Sequence, residues 1–180
     1  MRIKTLPIFL VFFVMGFGDV VGTLVGFVTK EFSLSSSLAG LLPFAGLIPF
    51  GLFSVPVGIL SDRKGKKYVL ITFLLIALFG LLIPSISIAR YHYVLIAIFM
   101  VGIGMCGLQV AGNPAMRDVS KEGRYSRNLT FAQFIKSIGT NTGPYVVPLI
   151  IFLGLAWKNI FLIYAFVVAI TLITVLPVKM

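Results

Sequence analysis

The sequence predicts an all-α membrane protein in which six transmembrane helices form one bundle, a single domain over residues 1–180. Three observations predict it. Of the 180 residues, 59% are hydrophobic and only 11% are charged, whereas soluble domains carry about 25% charged residues. The apolar residues come in continuous runs of about twenty, the length a helix needs to cross a bilayer, without the two-residue alternation of a membrane β-barrel. Short basic segments separate the runs. Together these exclude a disulfide-stapled secreted domain, a disordered tail and an ordinary soluble enzyme.

The first run, 6–28, follows Met1-Arg2-Ile3-Lys4 as a signal peptide would. It continues well past a signal core of roughly 7–15 residues and lacks a small-residue cleavage site, so it reads as a retained span. Gly16, Gly18 and Gly22 lie along it, either for close helix packing or for a bendable, discontinuous helix near a binding site. The second run, 38–60, leads into a basic turn where Gly65 permits a tight reversal. The third, 68–88, is separated from the fourth, 91–113, by a short break marked by Ser87, Arg90 and His92. Gly102, Gly104 and Gly107 line the fourth run, and Asn113-Pro114 reads as its end. The connection that follows carries Asp118 and Glu122 among cations, and reads as solvated charge. The fifth run, 129–155, contains Gly143-Pro144, a kink signal. The sixth, 159–178, starts beside Trp157, which fits an interface anchor, as do Tyr91 and Tyr93 beside the fourth.

The cations orient these spans. Arg2, Lys4, Arg63, Lys64, Lys66, Lys67, Arg117, Lys121, Arg124, Arg127 and Lys179 fall on one side, eleven in all, against Lys30, Arg90 and Lys158 on the other. Short loops rich in Lys and Arg stay in the cytoplasm, so both termini are expected there, and an even number of spans requires them to share a side. The same rule explains the net charge of +10, and nucleic acid is not an expected partner. The single cysteine, Cys106, and the single histidine, His92, exclude an internal disulfide and a zinc cluster. No convergent catalytic group is present, so no enzyme and no cofactor are expected; nor are the repeated rings of a channel.

The segment Gly58-Ile59-Leu60-Ser61-Asp62-Arg63-Lys64-Gly65-Lys66-Lys67 sets one anion among four cations where the chain leaves the membrane. Asp62 can accept hydrogen bonds from the start of a neighbouring helix, and Arg63 can pair with a carboxylate. Either the segment latches helix groups on the cytoplasmic side, or it is a topology anchor with a turn glycine. Its pattern is Gly, three residues, Asp-Arg, one residue, Gly and two basic residues. This resembles the loop signature of the major facilitator superfamily, and it lies between the second and third spans, where that family carries it. The resemblance covers the whole chain and the N-terminal half of a twelve-span transporter. Leu108-Gln109-Val110-Ala111-Gly112-Asn113-Pro114 and Asn128-Leu129-Thr130-Phe131-Ala132-Gln133-Phe134, with Lys136-Ser137-Ile138-Gly139, are similar to the fucose permease and glucose/galactose porter branch. By that resemblance Gln109 stands at a functional glutamate of the branch. Val21 and Gly22 stand at an Asn-Asp pair, and Lys136 at a position commonly Asn. The branch's proton-coupling carboxylates are absent at those positions.

Asp19 is the one acidic residue inside a span, and Lys136 the one basic residue well inside one. Each alone at mid-bilayer costs a few kcal/mol. They lie about 20 Å and about 11 Å into their spans at roughly 1.5 Å per residue, a depth difference of roughly 9 Å. Either they line one cavity, with water or substrate between them, or they form a buried structural pair, or Lys136 snorkels. Asp19 is the proton-coupling candidate. Gln109 and Asn113 share one helical face, as do Gln133, Lys136 and Thr140. These five are the substrate-binding candidates, and interhelical hydrogen bonding is the competing reading. Gly58, Asp62, Arg63, Gly65, Lys66 and Lys67 form the candidate gating loop. The expectation is the N-terminal half of a proton-coupled secondary transporter in the bacterial inner (plasma) membrane. It carries a small polar solute of the sugar class that the resemblance implies. Its expected partners are that solute, protons, membrane lipid and a second six-helix bundle: a separate chain, a missing C-terminal half or a second copy. The alternative is a transport-inactive half or membrane scaffold.

Overall fold

The computed structural model describes residues 5–86 and 90–178. Arg2, Lys4, Ser87 and Lys179 of the charge count and the third turn lie outside the described residues. The chain is helical throughout: α1 (Leu6–Met15), a 3-10 segment (Gly16–Val20), α2 (Val21–Phe32), α3 (Ser36–Lys64), α4 (Lys66–Ile86), α5 (Tyr91–Val119), α6 (Tyr125–Phe152) and α7 (Asn159–Val175). Because α1, the 3-10 segment and α2 run on as one rod, the described residues form six helical rods in one bundle. Among the described residues, the rods 6–32, 36–64, 66–84 and 91–119 are long and apolar enough to cross a membrane by length and composition. α7 is apolar over 17 residues. α6 has 28 residues but carries a polar stripe.

The bundle is assembled around α1 and α5. Ile8, Val11, Phe12 and Val14 of α1 are wholly buried, as are Leu108, Ala111, Ala115 and Met116 of α5. Glycines set the spacing. A Cβ on Gly104 would press within 2.6 Å of Ala77, and one on Gly102 within 2.6 Å of the Gly46 carbonyl. Small residues therefore let α5 sit against α4 on one side and α3 on the other. α7 buries Phe161, Tyr164, Ala165, Val168 and Val175 and turns Leu162, Ile163, Phe166, Ile170 and Ile173 outward, which is the two-faced pattern of an outer helix.

The two ends differ in chemistry. At one end Gly65 alone separates α3 from α4, with φ at 86°. That left-handed backbone is the conformation the reversal needs. There Lys66 Nζ pairs with Asp118 Oδ2 at 2.6 Å, and Lys67 Nζ donates to the Leu176 carbonyl at 2.5 Å, joining α4 to α5 and α7. At the other end Tyr91 donates to the Leu38 carbonyl at 2.7 Å, and Trp157 donates to the Glu31 carboxylate.

Three expectations need correction. α5 runs through Asn113-Pro114 to Val119. A proline removes one backbone hydrogen bond, a loss that neighbouring helices absorb in a packed bundle. The connection is therefore 120–124, and Asp118 stands on the last turn of α5, still exposed and paired with Lys66. Trp157 is only 8% exposed and bonded to Glu31, so it anchors α7 to α2 inside the protein rather than facing an interface.

Candidate functional site

The site begins at a helix crossing. Gly16 in the 3-10 segment faces Gly139 in α6: a Cβ on Gly16 would lie 2.5 Å from the Lys136 carbonyl, and one on Gly139 would strike the Phe13 carbonyl. With no side chain on either glycine the two backbones touch. That contact places Asp19 against α6, where its Oδ2 accepts from Thr140 Oγ1 at 2.9 Å. Phe17 stacks on Tyr164 of α7 with ring centroids 3.9 Å apart, and Tyr164 shares a 2.6 Å hydrogen bond with Thr142. The segment bearing Asp19 is thus clamped from behind. Tyr164 had no assigned role in the sequence beyond its place in span 6; its one signal is a polar hydroxyl set inside an apolar run.

Three polar side chains of α6 each reach a neighbour. Gln133 Nε2 approaches Asn113 Oδ1 at 3.5 Å, Lys136 Nζ donates to Gln109 Oε1 at 3.0 Å, and Thr140 bonds Asp19. Both sequence-predicted faces therefore meet, α5 against α6. Asp19, Gln109 and Gln133 are nevertheless exposed, and Ser137 and Asn141 beside them are exposed too. A cavity of about 420 Å³ opens on this face, lined by Asp19, Gln109 and Lys136 with Met15, Gly18, Val21, Gly22, Pro43, Gly46, Leu47 and Phe50. Asp19 and Lys136 line it together, yet each bonds a neutral partner and they form no ion pair with each other. Thr140 reaches the cavity through Asp19. Gln133 and Asn113 pair with each other one turn toward the basic end and do not line it.

The gating-loop candidates divide. Gly58 lies within α3 and Gly65 makes the turn; Lys66 and Lys67 form the bonds described above. Asp62 and Arg63 are exposed and bond none of the described residues, so neither the helix-start bond expected of Asp62 nor the carboxylate pair expected of Arg63 is made. A larger cavity, about 490 Å³, lies at the basic end among Phe9, Lys121, Arg124, Arg127, Asn128 and Phe131. It belongs to the charged connections and is remote from Asp19. Among the described residues no group of three or more His, Cys, Asp or Glu side chains could hold a metal ion.

Comparison with known proteins bears on the family and the fold. The family profile of the Major Facilitator Superfamily matches residues 8–179. A Helicobacter pylori (strain ATCC 700392 / 26695) protein, whose name suggests a glucose/galactose transporter, is 31% identical over 144 residues, covering 78% of this chain and 35% of its own length. The L-fucose-proton symporter of Escherichia coli K12 is 29% identical over 112 residues, 61% of this chain and 26% of the symporter. The solved structure of the proton:xylose symporter XylE, bound to 6-bromo-6-deoxy-D-glucose, superposes with a TM-score of 0.78 at 18% identity, over 96% of this chain and 43% of that one. The chain thus spans between about a quarter and about a third of the length of these relatives and under half of XylE.

Proposed function

Because the chain belongs to the Major Facilitator Superfamily, we propose that it forms one bundle of a proton-coupled secondary transporter for a small polar solute of the sugar class. The observation that carries this is the open polar face. Asp19, Gln109, Gln133, Ser137 and Asn141 are exposed at membrane depth, where lipid contact with ionisable groups is costly and such groups face water-filled pathways or protein. A second bundle facing this one closes the cavity, and rocking of the two bundles exposes it alternately to each side. That bundle is the remainder of a longer chain, a separate chain or a second copy. The names of the relatives, sugar transporters and symporters, support the solute class and the proton.

In this reading Gln109, Lys136 and Thr140 hold the solute, with Gln133 and Asn113 at the cytoplasmic mouth. Asp19 takes the proton. The turn containing Gly58, Asp62, Arg63, Gly65, Lys66 and Lys67 forms the cytoplasmic latch. Its free Asp62 and Arg63 are available to the second bundle. The cation bias supports a bacterial inner membrane orientation with both termini in the cytoplasm.

The test is uptake from a panel of radiolabelled neutral and acidic sugars into proteoliposomes holding the chain with and without a second bundle, at a series of external pH values. Flux that needs the second bundle and rises with an inward proton gradient is expected. Asp19→Asn should remove the gradient dependence. A gradient dependence unchanged in that variant removes Asp19 from the proton path, and absence of solute flux with the second bundle present favours a transport-inactive scaffold.

A further inference from the structure

Two opposite charges share the cavity, and neither neutralises the other by contact. Lys136 gives a hydrogen bond to the Gln109 amide oxygen, and Asp19 accepts one from the Thr140 hydroxyl. No other charged side chain lines the cavity. α3 contributes only Pro43, Gly46, Leu47 and Phe50, and α5 only the neutral Gln109. α1 carries no charge. Lys30 and Glu31 stand at the far end of α2, and α7 meets the 3-10 segment through Tyr164. Arg117, Asp118 and Arg127 belong to the basic end.

Net charge at membrane depth is costly, so the sum over this bundle's share of the cavity bears on which loads it favours. Empty, with Asp19 ionised, the two charges cancel. A proton on Asp19 alone leaves the Lys136 ammonium uncompensated. An anion beside Lys136 alone leaves the Asp19 carboxylate uncompensated. A neutral sugar taken up with a proton leaves one net positive charge. Among loads that include a proton, only a proton with a monoanion returns the cavity to neutrality.

We propose that the solute is a sugar acid, a polyhydroxylated monocarboxylate. Its carboxylate pairs with Lys136, and it travels with one proton on Asp19, so that the empty and the fully loaded cavities are both neutral. This rests on the reading of the cavity as the transport site. Lys136 exchanges its bond to the neutral Gln109 amide for a charge-assisted pair, which is the stronger interaction. The freed amide of Gln109 then meets solute hydroxyls. The proton is drawn from water on the uptake side and returned to water on the release side; no covalent bond of the solute changes. The volume of about 420 Å³ lies within the range of small-molecule sites, about 300–1,000 Å³.

D-Galacturonate and D-galactose differ only at C6, carboxylate against hydroxymethyl, so the pair isolates the charge. Each is titrated into the full chain purified in weakly buffered detergent, with a pH indicator reading proton uptake. Galacturonate should bind about tenfold or more tighter than galactose, the range of a hydrogen bond to a charged group, and take up one proton per sugar bound. Galactose should take up none. Lys136→Gln should abolish the preference and Lys136→Arg should keep it, thermal unfolding confirming that each variant is folded. Galactose binding as tightly as galacturonate overturns the sugar-acid assignment and leaves the transport-site reading standing. A galacturonate preference intact in Lys136→Gln overturns the role of Lys136. Binding of neither sugar overturns the sugar-acid assignment, and the uptake test with the second bundle present decides the transport-site reading.

Discussion

Asp19 meets Thr140 only because two residues nearby have no side chain. Gly139 abuts the Phe13 backbone carbonyl, which has no room to move. Adding a methyl group there forces the helices apart, and overpacking of this kind costs about 1–3 kcal/mol. Gly22 lies on the same rod with open space around its Cβ position, and a helical Gly→Ala change at an open site gains about 0.5–1 kcal/mol. Gly139→Ala should therefore lower the thermal unfolding temperature in detergent while Gly22→Ala leaves it unchanged or raises it. Equal effects at the two sites would sink the crossing as the origin of the site. At this scale the sequence was half legible. Asp19 and Lys136 were conspicuous as ionisable groups in apolar runs, and helical spacing grouped Gln109 with Asn113. Which glycines are in contact and which are free depends on inter-helix distances that no spacing along one chain encodes. Tyr164 is legible in the sequence only by its place at the start of the sixth span, because an aromatic residue in an apolar span is ordinary.

Between elements, the one ion pair among the described residues is Lys66 to Asp118, with the two side chains 31% and 35% exposed. Half-exposed pairs contribute roughly 0–1 kcal/mol because solvent and salt screen them. Lys66→Ala and Asp118→Ala should each lower stability by less than about 1 kcal/mol, with a double-mutant coupling that shrinks as salt is raised. A salt-independent coupling of several kcal/mol would show instead that α4 and α5 are locked there. A weak pair suits a latch that opens during transport better than a structural staple. The apolar runs revealed every helix, but not every helix end. Pro114 reads as a terminator in isolation, and only the packed neighbours of α5 explain why the helix continues five residues beyond it to Val119. That extension carries Asp118 to Lys66, a partner that a solvated loop could not have held in place.

Over the whole molecule, the cation bias along the sequence predicts an orientation, because charge cannot cross a bilayer cheaply and its distribution is therefore written along the chain. The water-facing side was not legible there, because every span except the fifth is nearly uniform in hydropathy. The structure separates two kinds of exposed surface. α7 turns Phe166 and Ile173 outward, 67% and 65% exposed, an apolar surface suited to lipid. α6 turns Ser137 and Asn141 outward, polar groups that bond their own helix carbonyls at 3.1 and 2.8 Å. A thiol reacts with maleimide as the thiolate, which forms in water and not in hydrocarbon. The native Cys106 is wholly buried, so it gives a quiet background. In membranes, Ser137→Cys and Asn141→Cys should label rapidly with a hydrophilic maleimide, whereas Phe166→Cys and Ile173→Cys should not. Labelling of the α7 positions at the same rate would mean that the two faces do not divide water from lipid, and the open polar face would lose its meaning as half of a transport pathway.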